Sequence, residues 1–166
     1  AEQGGGLIVV TGTTWLVGCT IAGNLGGGIF NDGGGLWMLN CTLSGNYSPH
    51  LWGGGGIGQG PSAWGGGPNY TTHVNHCTIV SNILSGPFFG SGGGVWNGKG
   101  LFLCQNSVIA NNGTDDFSGV LTSEGYNFIQ NTNGCTIAGD QTGNIYGADP
   151  LLGPLQDNGG PIWTHA

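Results

Sequence analysis

Cys41-Thr42-Leu43-Ser44-Gly45-Asn46 is one of three copies of a single phrase, Cys-Thr-apolar-x-x-Asn. The other two are Cys19-Thr20-Ile21-Ala22-Gly23-Asn24 and Cys77-Thr78-Ile79-Val80-Ser81-Asn82. A degraded fourth copy reads Asn106-Ser107-Val108-Ile109-Ala110-Asn111. Glycine runs ending in similar words, Gly26-Gly27-Gly28-Ile29-Phe30-Asn31 and Gly92-Gly93-Gly94-Val95-Trp96-Asn97, flank these phrases. The four copies start 22, 36 and 29 residues apart. Self-similarity on that scale marks a solenoid, whose repeats bury their apolar faces only against one another.

Used as a ruler, the phrase assigns side chains to faces. Before each copy lies a short strand: Thr14–Val17, Leu36–Leu39, Thr72–Asn75 and Leu101–Cys104. Side chains alternate between the two faces of a strand. Leu16, Met38, Val74 and Leu103 then form one inward column, joined by Leu36 and Leu101. Ile21, Leu43, Ile79 and Val108 form a second. Asn24, Asn46, Asn82 and Asn111 stack as a ladder at the bend, where an amide can both donate to and accept from stranded backbone groups. The expected architecture is all-β: a right-handed, single-stranded parallel β-helix of roughly five coils. Residues 1–112 form its coils, with a Gly/Pro/Trp-rich insertion at 48–70. Residues 113–166 form closing coils and an irregular tail of the same domain.

Composition narrows the function. Charged residues make up 5% of the 166-residue chain, and Lys99 is its only basic side chain against eight acids, giving a net charge of -7. Nucleic-acid binding needs cations to neutralise phosphates, so it is excluded as a partner class; attraction to anionic membranes fails likewise. No apolar run is long enough to insert into a membrane. The 37% of apolar residues, with six Trp and six Phe in a recurring pattern, argue against disorder. Low charge, many Asn, Thr, Ser and Gly, and five cysteines suit an extracellular or cell-surface location. Ala1-Glu2-Gln3 leads straight into a repeat, so the chain reads as a mature product or a piece of something longer. Sequons start at Asn40, Asn46, Asn69 and Asn112, of which Asn46, Asn69 and Asn112 are the candidate glycosylation sites.

The repeats resemble those of large bacterial surface proteins of the polymorphic-outer-membrane-protein-like, choice-of-anchor Q type. Besides the glycine and cysteine phrases, the resemblance rests on Gly125-Tyr126-Asn127-Phe128-Ile129, Asp149-Pro150-Leu151-Leu152-Gly153-Pro154-Leu155, Asp157-Asn158-Gly159-Gly160-Pro161 and Thr164-His165. It implies a β-helix at a cell surface and no particular activity. The family also tends to pair the cysteine matching Cys135 with one at the position of Phe117. That pairing cannot form here, which leaves Cys104 as the substitute partner of Cys135.

Candidate chemistry is sparse. Polysaccharide-degrading β-helices need a strong base with acidic calcium ligands, or two spaced carboxylates. Lys99 is isolated, and Asp115-Asp116 is the only adjacent acidic pair. His73, His76 and Cys77 lack a second ligand pair at zinc spacing. Asp140, Asp149 and Asp157 form no dense calcium loop; Asp140 reads as a late ladder position in Cys135-Thr136-Ile137-Ala138-Gly139-Asp140. No catalytic residue, metal or cofactor is expected. Cys19, Cys41 and Cys77 share a column whose spacing permits a disulfide between neighbours, but stacked free thiols are the preferred reading.

With Leu16, Met38 and Leu103 inward, Trp15, Trp37, His73 and Phe102 face outward beside Val17, Leu39 and Cys104. An apolar outer stripe indicates a binding surface. Trp15, Trp37, Phe102, Val17 and Leu39 are therefore the candidate interface. The expected function is a non-catalytic extracellular structural protein that assembles with copies of itself into a filament or surface fibre. The alternatives are an adhesin passenger fragment or a module that binds or degrades carbohydrate, such as surface glycans, using Trp52, Trp64 or Trp96.

Overall fold

The computed structural model describes residues 5–49, 53–61, 69–85, 92–113 and 115–166. Its regular structure is all strand. The first group comprises β1 (Leu7–Val9), β2 (Thr13–Val17) and β3 (Thr20–Ala22). The second adds β4 (Ile29–Asn31), β5 (Gly35–Leu39), β6 (Thr42–Ser44) and β7 (Tyr47–Ser48). The third has β8 (Ile57–Gln59), β9 (Thr71–Asn75), β10 (Thr78–Val80) and β11 (Ile83–Leu84), and the fourth β12 (Gly92–Asn97), β13 (Leu101–Gln105) and β14 (Val108–Ala110). The chain ends with β15 (Asp115–Glu124) and β16 (Phe128–Ile129), then β17 (Cys135–Asp140) and β18 (Ile145–Tyr146).

Every named strand pairs in parallel with its counterpart in a neighbouring group. In the larger sheet, β1-β4-β8-β12 and β2-β5-β9-β13 form two columns, which the ten-residue β15 joins by pairing with both β12 and β13. The second sheet runs β3-β6-β10-β14-β16-β18, and β7 pairs with β11.

Single left-handed residues make the corners. Gly18, Asn40, His76, Asn106, Tyr126 and Gly143 have φ between 50° and 67°, each just before the cysteine position or its equivalent. Gly23, Gly45, Ser81 and Asn111 do the same at the next corner, at φ 57–66°. One residue with positive φ redirects a strand without a long loop, which is why Gly and Asn recur at these positions.

Glycine at the third place of each run has a steric reason. A Cβ on Gly28 would lie 2.7 Å from the Gly56 carbonyl oxygen, and one on Gly56 2.6 Å from that of Gly94. The same atom on Gly56 would come within 3.1 Å of the Asn82 amide. Gly54-Gly55-Gly56-Ile57-Gly58-Gln59 is thus a further copy of the glycine phrase, inside the stretch 48–70 that reads as insertion. That stretch holds β8, with Ile57 and Gln59 fully buried.

Apolar columns fill the interior. Ile29, Ile57, Val95 and Phe117 align in one, and Leu43, Ile79, Ile109 and Ile129 in another. Phe102 meets Phe117 edge-on at 5.1 Å.

The fourth group departs from the sequence reading by one residue. Thr78 pairs with Val108, so Ser107 rather than Asn106 matches Cys77. Cys104 pairs with Val74, and Leu103 with His73. Because side chains alternate, the slip reverses every assignment there. Phe102 and Cys104 are fully buried, whereas Leu101 is exposed and Leu103 partly exposed. Phe102 therefore belongs to the core and leaves the candidate interface, and Ile109 replaces Val108 in the inward column.

Two substitutions test these constraints by chemical denaturation. Gly56→Ala is expected to lose roughly 1–3 kcal/mol from overpacking. Ser81→Gly is expected to add roughly 0.5–1 kcal/mol by relieving a left-handed β-carbon.

Candidate functional site

The ladder of amides is present with one member changed. The Asn24 backbone N–H and Nδ2 both donate to Asn46 Oδ1, at 3.1 and 2.8 Å. Asn46 repeats this on Asn82 (3.1 and 2.9 Å), and Asn82 on Asn112 (2.9 and 3.0 Å). Asn112 passes both bonds to Asp116 Oδ1, at 2.9 and 3.0 Å. The spare Nδ2 hydrogens of Asn46, Asn82 and Asn112 reach the carbonyls of Ile21, Leu43 and Ile79. Asn111 is instead the left-handed corner residue, equivalent to Ser81, and the one-residue slip gives Asn112 the ladder place expected for Asn111.

Asp116 ends the series as an acceptor-only group, with its second oxygen taking the Asn131 N–H at 2.7 Å. Burial raises its pKa, opposed by the hydrogen bonds from Asn112 and Asn131. Asp115 and Asp116 alternate along β15, the first half-buried and the second buried, so the adjacent acids do not share a face. Asp140 lies on β17 opposite Glu124 and is no ladder member.

A second amide series crosses the other corner of the larger sheet. Asn31 Nδ2 donates to Gln59 Oε1 at 3.4 Å, and Gln59 Nε2 to Asn97 Oδ1 at 3.0 Å. Thr72 Oγ1 closes on Gln59 Oε1 at 2.6 Å. Sequence reading missed this series, although the last residue of each glycine phrase marks it.

All five cysteines are free thiols. Cys19, Cys41 and Cys77 stack, continued by Ser107, Asn127 and Asn144, whose side chains accept the backbone N–H groups of Cys77, Ser107 and Asn127. The Cys77 thiol is held protonated by its hydrogen bond to Cys41 and by burial. Burial pushes Cys104 up to about 12 and Cys135 up to about 11. Cys104 is not bonded to Cys135: its Sγ donates to Asn127 Oδ1 at 3.2 Å. Cys77 and Cys104, protonated and buried, behave as small apolar groups.

Burial also decides among the sequons. Asn46 and Asn112 are buried with both side-chain hydrogens engaged, so neither can carry a glycan in the folded protein. Asn69 is exposed.

Outside the larger sheet, Trp15 stacks on Trp37 at 5.3 Å and Trp37 on His73 at 4.8 Å. The register that pairs their strands produces this stack. Trp15 stands at its open end, 66% exposed, with Val17 and Leu39 exposed beside it. A shallow groove of about 180 Å³ runs past the three rings to Leu39, Asn75 and Glu124. Trp96 is half-buried across Gly98 and Gly60, while Trp52 and Trp64 lie outside the described residues. His76 sits exposed at a corner and does not converge with His73. No group of three metal-ligating side chains occurs among the described residues. Lys99 Nζ lies 4.9 Å from the centre of the Tyr70 ring.

The C-terminal tail folds back onto the second sheet. Thr20 Oγ1 donates to the Trp163 carbonyl at 2.8 Å. His165 bridges Gly153 and Ser44, with Nδ1 2.7 Å from the Gly153 carbonyl and Nε2 2.9 Å from Ser44 Oγ. An imidazole protonated at Nδ1 satisfies both contacts, donating to the carbonyl and accepting the serine hydroxyl. Ser44 is buried, so this pair reads as a clasp.

Comparison with protein-family models, curated proteins and solved structures finds no match to this chain.

Loss of the central amide is expected to cost far more than loss of the terminal one. Asn82→Ala strands buried partners on both sides and should remove about 3 kcal/mol or more, whereas Asn24→Ala, at the half-buried end, should remove about 1 kcal/mol. Urea denaturation of the two variants checks the ratio, and equal losses would refute an interlocked ladder.

Proposed function

We propose that the parallel groups wind as a right-handed, single-stranded β-helix of roughly five coils, and that the protein is a non-catalytic extracellular structural subunit that assembles with copies of itself. The observation that carries this reading is the pair of strand edges left unpaired among the described residues at opposite ends of the stack: β1, β2 and β3 at one, β17 and β18 at the other. An exposed parallel edge is a template for another chain. Natural edges are guarded by charge, proline or bulges, yet no charged residue occurs from Gly5 to Asn31. Heterologous contacts between unlike ends propagate into open filaments. The low charge and the exposed sequon at Asn69 favour a surface location, in keeping with the resemblance to bacterial surface repeats.

Catalysis finds little support in the arrangement. Asp116 is committed to the ladder, and Asp115, His73 and His76 stand apart. A second reading, glycan binding, is favoured by the Trp15–Trp37–His73 groove with Asn75 and Glu124 beside it. Rigid exposed aromatic rings with nearby polar groups suit a sugar face.

Electron microscopy of the purified chain, with sedimentation across a concentration series, separates these readings. Filaments of one diameter are expected. Monomers at every concentration, together with saturable quenching of tryptophan fluorescence by soluble glycans, would replace assembly with glycan binding.

A further inference from the structure

Exposed apolar side chains occur along the whole stack: Ile8, Val10, Trp15, Val17 and Leu25 in the first group, Leu39, Ile83, Leu101, Val120 and Tyr126 in between, and Ile145 and Tyr146 in the last strand. The half-buried core residues Leu7, Leu16, Cys19 and Ile21 also lie in the first group, and Cys135 and Ile137 on β17. Among the described residues the core is therefore open at its two ends. We infer that the first group of one molecule seats on the last group of a second copy, with β2 pairing along β17 and β3 along β18. This rests on the self-assembly reading and specifies its contact.

Three observations select this occupant. The first is register. Carrying the internal columns one step further sets Thr14 on Ile137, Trp15 on Ala138 and Leu16 on Gly139. Thr20 and Ile21 then fall on Ile145 and Tyr146. The small side chain of Ala138 leaves room for the free face of the Trp15 indole, and Ile21 extends its apolar column onto Tyr146.

The second is charge. The first group is uncharged, whereas β17 ends in the exposed Asp140. Unlike ends meet without repulsion, but two last groups face to face would oppose carboxylates. The third is direction. A two-fold axis between identical ends lies in the plane of the layer and reverses the sense in which the chain runs around the stack. It cannot preserve parallel pairing at β2 and β3 together. Translation along the stack keeps that sense and pairs both strands at once.

The Gly12 carbonyl and the Gly18 N–H both bond to the β5 side. By the alternation of a parallel strand, the N–H groups of Trp15 and Val17 then point to the open edge. Val17→Pro removes an edge donor without touching the β2–β5 ladder, and Trp15→Lys places a charge on the contact. Leu101→Glu, mid-stack on the flank, serves as the lateral control. Each variant of the 166-residue chain is checked for native circular dichroism and thermal midpoint, then assayed for pelletable filament mass and by electron microscopy.

The expected result is at least a tenfold loss of filament mass for Val17→Pro and Trp15→Lys, with Leu101→Glu unchanged. Native-like assembly by both end variants, or loss confined to Leu101→Glu, overturns the end-to-end contact while leaving self-assembly standing. A native chain that stays monomeric at every concentration overturns both.

Discussion

A buried amide must place two hydrogens and its oxygen lone pairs, and here each ladder asparagine does so against the next member of the series, an asparagine in every case but the last, where Asn112 meets Asp116. Asn82 shows the full pattern: its Oδ1 receives Asn46 twice, and its Nδ2 reaches Leu43, Val80 and Asn112. Such an arrangement is satisfied in one register only. A shift of one residue would strand several buried groups, each costing about 1–3 kcal/mol. It would also turn every neighbouring strand inside out. The ladder and the pleat therefore enforce each other. The glycines complete the lock, because Gly28, Gly56 and Gly94 let the backbone close over the amides.

The ladder has a direction. Donors point from Asn24 toward Asp116, where a carboxylate takes the last two amide hydrogens and a third from Asn131. Burial disfavours that charge and the aligned donors favour it, so Asp116 is a costly group held by a committed set of partners. The same economy governs two of the thiols. Burial raises Cys104 and Cys135, keeping them protonated and compatible with an apolar interior. Polar and sulfur chemistry is thus drawn inward into holding the stack together, and the exposed ends, with the Trp15 stack, are left for recognition.

Much of this was legible because repetition is a strong signal. The cysteine phrase placed Asn24, Asn46 and Asn82, the three stacked thiols, and the inward Leu43 and Ile79. Legibility ended where the phrase decayed. Asn111-Asn112 offers two candidates for one ladder place, and only pairing of Val108 with Thr78 decides between them. That single residue moved Phe102 from an expected outer stripe to the core. The copy of the glycine phrase at Gly54–Gln59 was hidden in turn-like composition, so stretch 48–70 read as insertion although Ile57 and Gln59 are buried there.

By itself the sequence determined a stack of short strands with β-branched and leucine side chains inside, since each phrase carries its own strand, corner and amide. Tertiary structure decided what identical words mean in different places. Cys-Thr-Ile-Ala-Gly occurs at 19–23 and at 135–139. The first copy turns through β3 toward the ladder, while the second runs straight through β17 along β15. The five residues are the same; the strand edge available to each is not. A parallel strand obtains its hydrogen bonds from a neighbour a whole repeat away, so its register and its buried face follow from what has already stacked beside it.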